Sequence, residues 1–253
     1  MTAKGVDLDD YGSWSGEASG KHLDGADLRK ETLRGVDLGG ALMRKANLSG
    51  ARLQGIQLNK ALLEEANLSG SDLSGAFLSG SILRGADLTE ANLRGADLRW
   101  ADLSEVNMSG AILSGADLRG CRIICAEMSD VNMSGADLSD ADLSGNTNLE
   151  WAALDGANLS GAMMTSVNLR FAGLRGAILR GASLNMAYLV GADLNGADLS
   201  DADLSKAEYS FDTVWPVGFD PVAAGAILVE ISDKKESSKR ANFENKIDSR
   251  KKG

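Results

Sequence analysis

The sequence predicts an all-β solenoid whose chain winds as a four-cornered parallel coil, about nine to ten coils long. Two observations carry this expectation. Leucine, with Met or Ile at a few places, returns every fifth residue from Leu23 to Leu143, and a small residue, usually Ala, stands two places before each. Glycine returns every twentieth residue along one line, Gly35, Gly55, Gly75, Gly95, Gly115 and Gly135. A period of five fits neither a helical heptad nor the alternation of an ordinary strand, so the backbone must turn often to bring every fifth side chain inward.

The opening residues, 1–22, read as an N-terminal cap: Val6-Asp7-Leu8 keeps the rhythm, then Tyr11-Gly12-Ser13-Trp14 abandons the apolar positions. The repeating region spans 23–211. Within Ala26-Asp27-Leu28-Arg29-Lys30, Ala and Leu are two apart and face one side of an extended segment, Asp faces the other, and the last two residues make the corner. Four such walls close a square, which places residue i beneath residue i+20. The predicted interior spine includes Leu28, Leu48, Leu68, Leu88, Leu98, Leu118, Leu138, Leu159, Leu179 and Leu199. A corner that uses only Gly is read as a turn needing positive φ, whereas a mixed corner runs Lys30, Gly50, Gly70, Glu90, Gly110, Asp130.

The rhythm slips once, by one residue near 145–148, and counting through the slip restores the glycine line as Gly156, Gly176 and Gly196. Gly145 and Asn146 both tolerate positive φ, so a bulge is expected there rather than a domain boundary. Residues 212–231 read as a C-terminal cap, with Trp215, Phe219, Val222 and Ile227 covering the last coil, and 232–253 as a flexible charged tail. At a coil spacing of about 4.8 Å the rod should be roughly 45 Å long.

Units such as Ala66-Asn67-Leu68-Ser69-Gly70 and Ala192-Asp193-Leu194-Asn195-Gly196 resemble the A(D/N)LXX repeat of the pentapeptide-repeat family. The resemblance covers roughly residues 23–209 and implies a right-handed quadrilateral β-helix. The segment Thr213 to Pro221 is similar to the ending of many cyanobacterial and plastid members.

Chemistry is hard to place on this chain. His22 is the sole histidine, and no Ser or Cys has an imidazole within the predicted geometry, so no enzyme activity, cofactor or metal is expected. Cys121 falls at an inward position and Cys125 at a corner, which disfavours a disulfide. Residues 1–20 lack an apolar leader segment and no run reaches transmembrane length, so the chain is expected to be cytoplasmic with no membrane contact.

Function is therefore expected at the surface. Leu42, Leu62 and Ile82 occupy outward wall positions, with Phe77 near the adjoining corner; Trp151 and Phe171 stack at one corner, with Tyr188 and Val190 outward beside them. These eight residues are the candidate contact surface for an unidentified protein partner, packing within the chain being the alternative for Trp151 and Phe171. An Asn-rich column, Asn47, Asn67, Asn107, Asn148 and Asn168, is expected to hydrogen-bond along the rod.

Two functional classes follow. One is a protein-interaction scaffold, as the resemblance implies for cyanobacterial members, with an end-to-end homodimer among the assemblies that the open ends allow. The other is DNA mimicry against gyrase, which the resemblance also implies and to which the formal charge of −10 lends itself. Lines of Asp97, Asp117 and Asp137, and of Asp102, Asp142 and Asp203, favour mimicry; Arg99, Arg119 and Arg180 beside them disfavour it. Direct DNA binding is not expected, because the acids of the basic tail dilute its charge.

Overall fold

The computed structural model describes residues 21–230; the expected tail and all but the last two residues of the expected N-terminal cap lie outside the described residues. Each pentad contributes one residue to a parallel bridge with the coil above and below, and the bridges fall into four columns that define the walls of a right-handed quadrilateral β-helix. The first wall runs His22, Leu42, Leu62, Ile82, Asp102, Arg122, Asp142, Met163, Ser183, Asp203. The second starts at Asp27 and Asn47, the third at Thr32 and Arg52, and the fourth at Asp37 and Gln57.

The reason for the five-residue unit is visible in its hydrogen bonds. Leu28 N–H donates to the Asn47 carbonyl at 2.7 Å, and Asn47 N–H donates to the Ala26 carbonyl at 2.8 Å, so the wall pairs axially with its neighbours. Ala26 N–H then donates to the Leu23 carbonyl at 3.0 Å, closing the corner. The Asp or Asn one place before Leu caps the same corner: Asn67 Oδ1 accepts from Ser69 N–H at 3.0 Å, and Asp102 Oδ1 from Ser104 N–H at 3.0 Å. This capping redirects the expected Asn ladder. Asn168 donates to Asn148 at 2.9 Å and Asn148 donates to Glu127, but the side-chain oxygens of Asn47, Asn67 and Asn107 accept from the corner N–H groups of Ser49, Ser69 and Ser109.

Leucines and alanines fill the shaft. Leu48, Leu68, Leu88, Leu98, Leu118, Leu138, Leu159 and Leu179 are completely enclosed, while Leu28 and Leu199, nearer the ends, remain buried. Where Ser replaces Ala, as at Ser71 and Ser81, the hydroxyl donates to the carbonyl three residues back at 2.7 Å, so no buried donor is left open. Cys121 does likewise, its thiol reaching the Leu98 carbonyl at 2.8 Å, and burial pushes its pKa up to about 12. Cys125 is exposed, and both thiols are free.

The glycine line requires a correction. Positive φ is not special to it: the second corner residue is left-handed on all four edges, with Glu65 at 57°, Lys30 at 59°, Gly35 at 64° and Trp100 at 61°. A Cβ added at Gly35, Gly55, Gly75, Gly95, Gly115, Gly135, Gly156 or Gly176 would meet nothing within 4 Å. Left-handed φ makes Gly favourable there, but nothing in the structure explains why the other residue types used elsewhere are absent from this edge.

The slip is a bulge in which Gly145 and Asn146 take φ of 77° and 63°. Thr147, at the inward small position, is completely buried, and its hydroxyl donates to the Ile123 carbonyl at 2.6 Å in the coil below. A second bulge of the same construction follows Tyr209. There Val214 pairs with Asp193, twenty-one residues back, and the Thr213 hydroxyl donates to the Leu189 carbonyl at 2.9 Å. The winding therefore continues past residue 211, with Trp215 in the inward position of a leucine. It ends where β1 (Glu208–Tyr209) pairs in parallel with β2 (Ile227–Leu228). Trp215 and Phe219 stack at 5.2 Å and close the shaft against Tyr209. Val222 and Ile227, expected to help cover it, are exposed instead.

Candidate functional site

Because the shaft is filled, recognition falls to side chains at the wall and corner positions. On the first wall, Leu42, Leu62 and Ile82 bridge one to the next and are half-buried, and Phe77, on the fourth wall across the intervening corner, is exposed. The strip is bounded by His22 below and Asp102 above.

The second candidate region divides into buried and exposed parts. Trp151 and Phe171 stack with centroids 4.3 Å apart and planes 15° from parallel, and the Arg170 guanidinium lies 5.8 Å from the Phe171 ring. Phe171 is only 8% exposed and Val190 1%, so the expectation that both face a partner is corrected: each packs within the chain. The physical cause is the glycine in the coil above. Gly191 carries no Cβ, and the Phe171 ring occupies the vacated space, where a Cβ would lie 2.5 Å from it. Trp151 is half-buried, and Tyr188, on the second wall, is 37% exposed.

Sequence reading missed the most exposed aromatic of this region. Phe211, at the corner that carries Trp151 and Phe171, is 83% exposed, and Met186, Val214, Ile227 and Leu228 are exposed on the same C-terminal coils. The signal was present at Phe211, since the stacked corner positions Trp151, Phe171, Gly191 and Phe211 are legible once the twenty-residue map is extended.

The charged residues form local pairs. Arg99 grips Asp97 through Nε and Nη2, both at 2.8 Å, and Arg119 grips Asp117 at 2.9 and 2.7 Å; Arg180 reaches Asp198 at 2.8 Å. The arginine hydrogen bonds hold the Asp97 and Asp117 carboxyls below the usual range, and Ser200 together with Arg180 does so for Asp198. The acidic line through Asp97, Asp117 and Asp198 on the fourth wall is thus interleaved with positive charge. Among the described residues no group of His, Cys, Asp and Glu is arranged to hold a metal ion, and no helix is long and apolar enough to cross a membrane. His22 is exposed on the first rung.

The pentapeptide-repeats family matches in eight copies, among them residues 22–59, 46–85, 61–99, 81–120, 111–145, 146–181 and 174–208. Comparison with curated proteins gave no match. Similar solved structures include HetL, a pentapeptide repeat protein involved in heterocyst differentiation regulation from the cyanobacterium Nostoc sp. strain PCC 7120. It is 34% identical, with 79% of this chain and 93% of HetL covered and a TM-score of 0.47. QnrB1, a plasmid-mediated fluoroquinolone resistance protein, is 18% identical over 88% of this chain and 96% of its own, with a TM-score of 0.33. A pentapeptide repeat protein of the Arabidopsis thaliana thylakoid lumen is 27% identical over 61% and 68%, with a TM-score of 0.18.

Proposed function

Because the chain belongs to the pentapeptide-repeat family, we propose that it acts as a non-enzymatic, cytoplasmic interaction scaffold that presents side chains on a rigid rod to a protein partner. One observation carries the reading: Tyr188, Met186, Phe211 and Val214 are exposed on the C-terminal coils, on a rod whose wall positions are most often Asp or Asn. Large apolar side chains exposed on neighbouring coils of a polar rod are a characteristic of protein contacts, and an exposed aromatic gains most when a partner covers it. The strip of Leu42, Leu62, Ile82 and Phe77 is a second, smaller surface of the same kind. HetL is described as involved in regulation, and a regulatory role of this chain is part of the proposal. Exposed Val217, Val222 and Leu228 extend the apolar surface to the C-terminal end, where a second copy is a candidate partner.

The gyrase-mimic reading is the weaker one, because Arg99, Arg119 and Arg180 neutralise the carboxylates that would imitate phosphates. Affinity isolation from the native cell should recover a partner with the wild-type rod and lose it with Tyr188→Ser combined with Phe211→Ser, at an unchanged thermal midpoint. Recovery by the double variant removes this surface from consideration, and inhibition of gyrase supercoiling at about micromolar protein, the affinity range of specific contacts, reinstates mimicry.

A further inference from the structure

We propose that the acidic C-terminal end of the rod is a docking surface whose occupant is the chain's own segment 232–253, which thereby competes with a partner for Tyr188 and Phe211. The inference rests on the reading of that surface as a contact site and adds what governs access to it.

Three observations select the occupant, and the first is the point at which the chain leaves the winding. β2 pairs over β1 on the second wall, and Val229 N–H donates to the Tyr209 carbonyl at 2.8 Å. Tyr188 bridges to Glu208 of β1, and Phe211 stands at the corner that follows. The exit therefore lies one coil above Phe211 and two above Tyr188, about 10 Å along the axis. A segment of 22 residues covers that distance several times over, at about 3.3 Å per residue when extended.

The second observation is charge. Between 201 and 230 the chain carries six carboxylates, Asp201, Asp203, Glu208, Asp212, Asp220 and Glu230, against the single base Lys206. Segment 232–253 carries eight lysines and arginines against four acids. The opposite end of the rod offers no such match, because residues 21–94 hold ten lysines and arginines against nine acids. A net-positive segment rooted at Glu230 thus meets opposite charge where it starts. The third observation is apolar surface: Phe211 is 83% exposed, with Met186 and Val214 exposed near it, and the segment brings Phe243 and Ile247 among Arg240, Lys246 and Arg250. Covering Phe211 with such side chains removes apolar area from water. Tethering raises the effective concentration to about millimolar, so even a weak contact stays mostly made until a tighter partner displaces it.

The test uses the full-length chain and trypsin, which cleaves after lysine and arginine. Cleavage after Arg240 and Lys246 is timed by intact mass, beside a synthetic peptide of residues 232–253 digested under the same conditions. The segment should be cut about tenfold more slowly in the chain than in the peptide, the protection that an affinity of about 0.1 mM gives at a millimolar effective concentration. The protection should fall to near that of the peptide in about 1 M salt, where charges are screened within about 3 Å. It should also be lost in Tyr188→Ser combined with Phe211→Ser, and in Phe243→Ser, which lies outside the winding and leaves the rod's own packing untouched. Equal cleavage of chain and peptide overturns the proposal, as does protection that survives Phe243→Ser and the double variant. Protection that grows with protein concentration overturns it too, by making a second copy the occupant. No partner is present in this measurement, so it and the capture experiment above fail on separate results.

Discussion

Two glycines with the same backbone angle stand in different surroundings. Gly115 has φ of 66° and open space around it, so Gly115→Ala meets only the left-handed penalty, on the order of 1 kcal/mol. Gly191 has φ of 68°, but its Cβ would strike the Phe171 ring, which is pinned under Trp151 and cannot swing into water. Gly191→Ala should therefore cost about 2 kcal/mol more, and that excess should vanish when Phe171→Ser is added. Urea unfolding of the four variants measures it, and equal costs for both glycines would mean that the ring yields freely. Leu113→Ala, in the completely enclosed spine, should cost about 2–5 kcal/mol by the same measurement. The leucines were legible from spacing alone, since burial of one side chain in five leaves few other paths. The orientation of Phe171 was not, because spacing fixes which corner a ring leaves but not whether the coil above has room for it.

The two bulges are one device used twice. Ser144-Gly145-Asn146-Thr147 and Ser210-Phe211-Asp212-Thr213 share Ser, an Asn or Asp, and Thr at the same offsets, and each Thr hydroxyl reaches a carbonyl twenty-four residues back. The extra residue disturbs the regular axial bonding, and the threonine supplies a donor and acceptor inside the shaft: Ala126 N–H donates to Thr147 at 3.4 Å, and Gly191 N–H to Thr213 at 3.2 Å. Thr147→Val keeps the shape and removes the hydroxyl, so it should destabilise the rod by about 1–3 kcal/mol. Thr213→Val should act similarly, and the two costs should add because the sites are far apart. A neutral Thr147→Val in equilibrium denaturation would show that the bulge is held by packing alone. The first bulge was legible because leucines keep time on both sides of it. Around the second, Tyr209 and Trp215 stand where leucines would, so the rhythm fades before the insertion and a boundary is read at 212 where the winding in fact continues.

Acid sensitivity belongs to the molecule as a whole, since its carboxylates are distributed along the rod. Asp97, Asp102 and Asp117 all have folded pKa values below the ordinary carboxylate value, Asp97 and Asp117 chiefly through their arginines and Asp102 through Ser104 against the opposing effect of burial. A depressed folded pKa stabilises the native state at every pH above the unfolded value, about 4, and that stabilisation is lost as pH falls below it. Urea midpoints should be level from pH 6 to 8 and fall from pH 4 to 3, and the fall should be shallower in Asp97→Asn. A midpoint that does not move between pH 6 and 3 would show these carboxylates to be energetically silent. That acids and arginines alternate was plain in the sequence; that the arginines bind back onto their own walls required the geometry of the corner. The main-chain bonds of every wall run along the axis, from one coil to the next. The flanks therefore offer a visitor no backbone to pair with, and the ladder is indifferent to whether Leu62, Asp72, Phe77 or Ile112 fills an outward slot. The exterior can be rewritten one side chain at a time, on a grid fixed by the coil pitch, while the spine stays as it is. A lineage, or an engineer, can thus give the same rod a new client without having to solve its folding again.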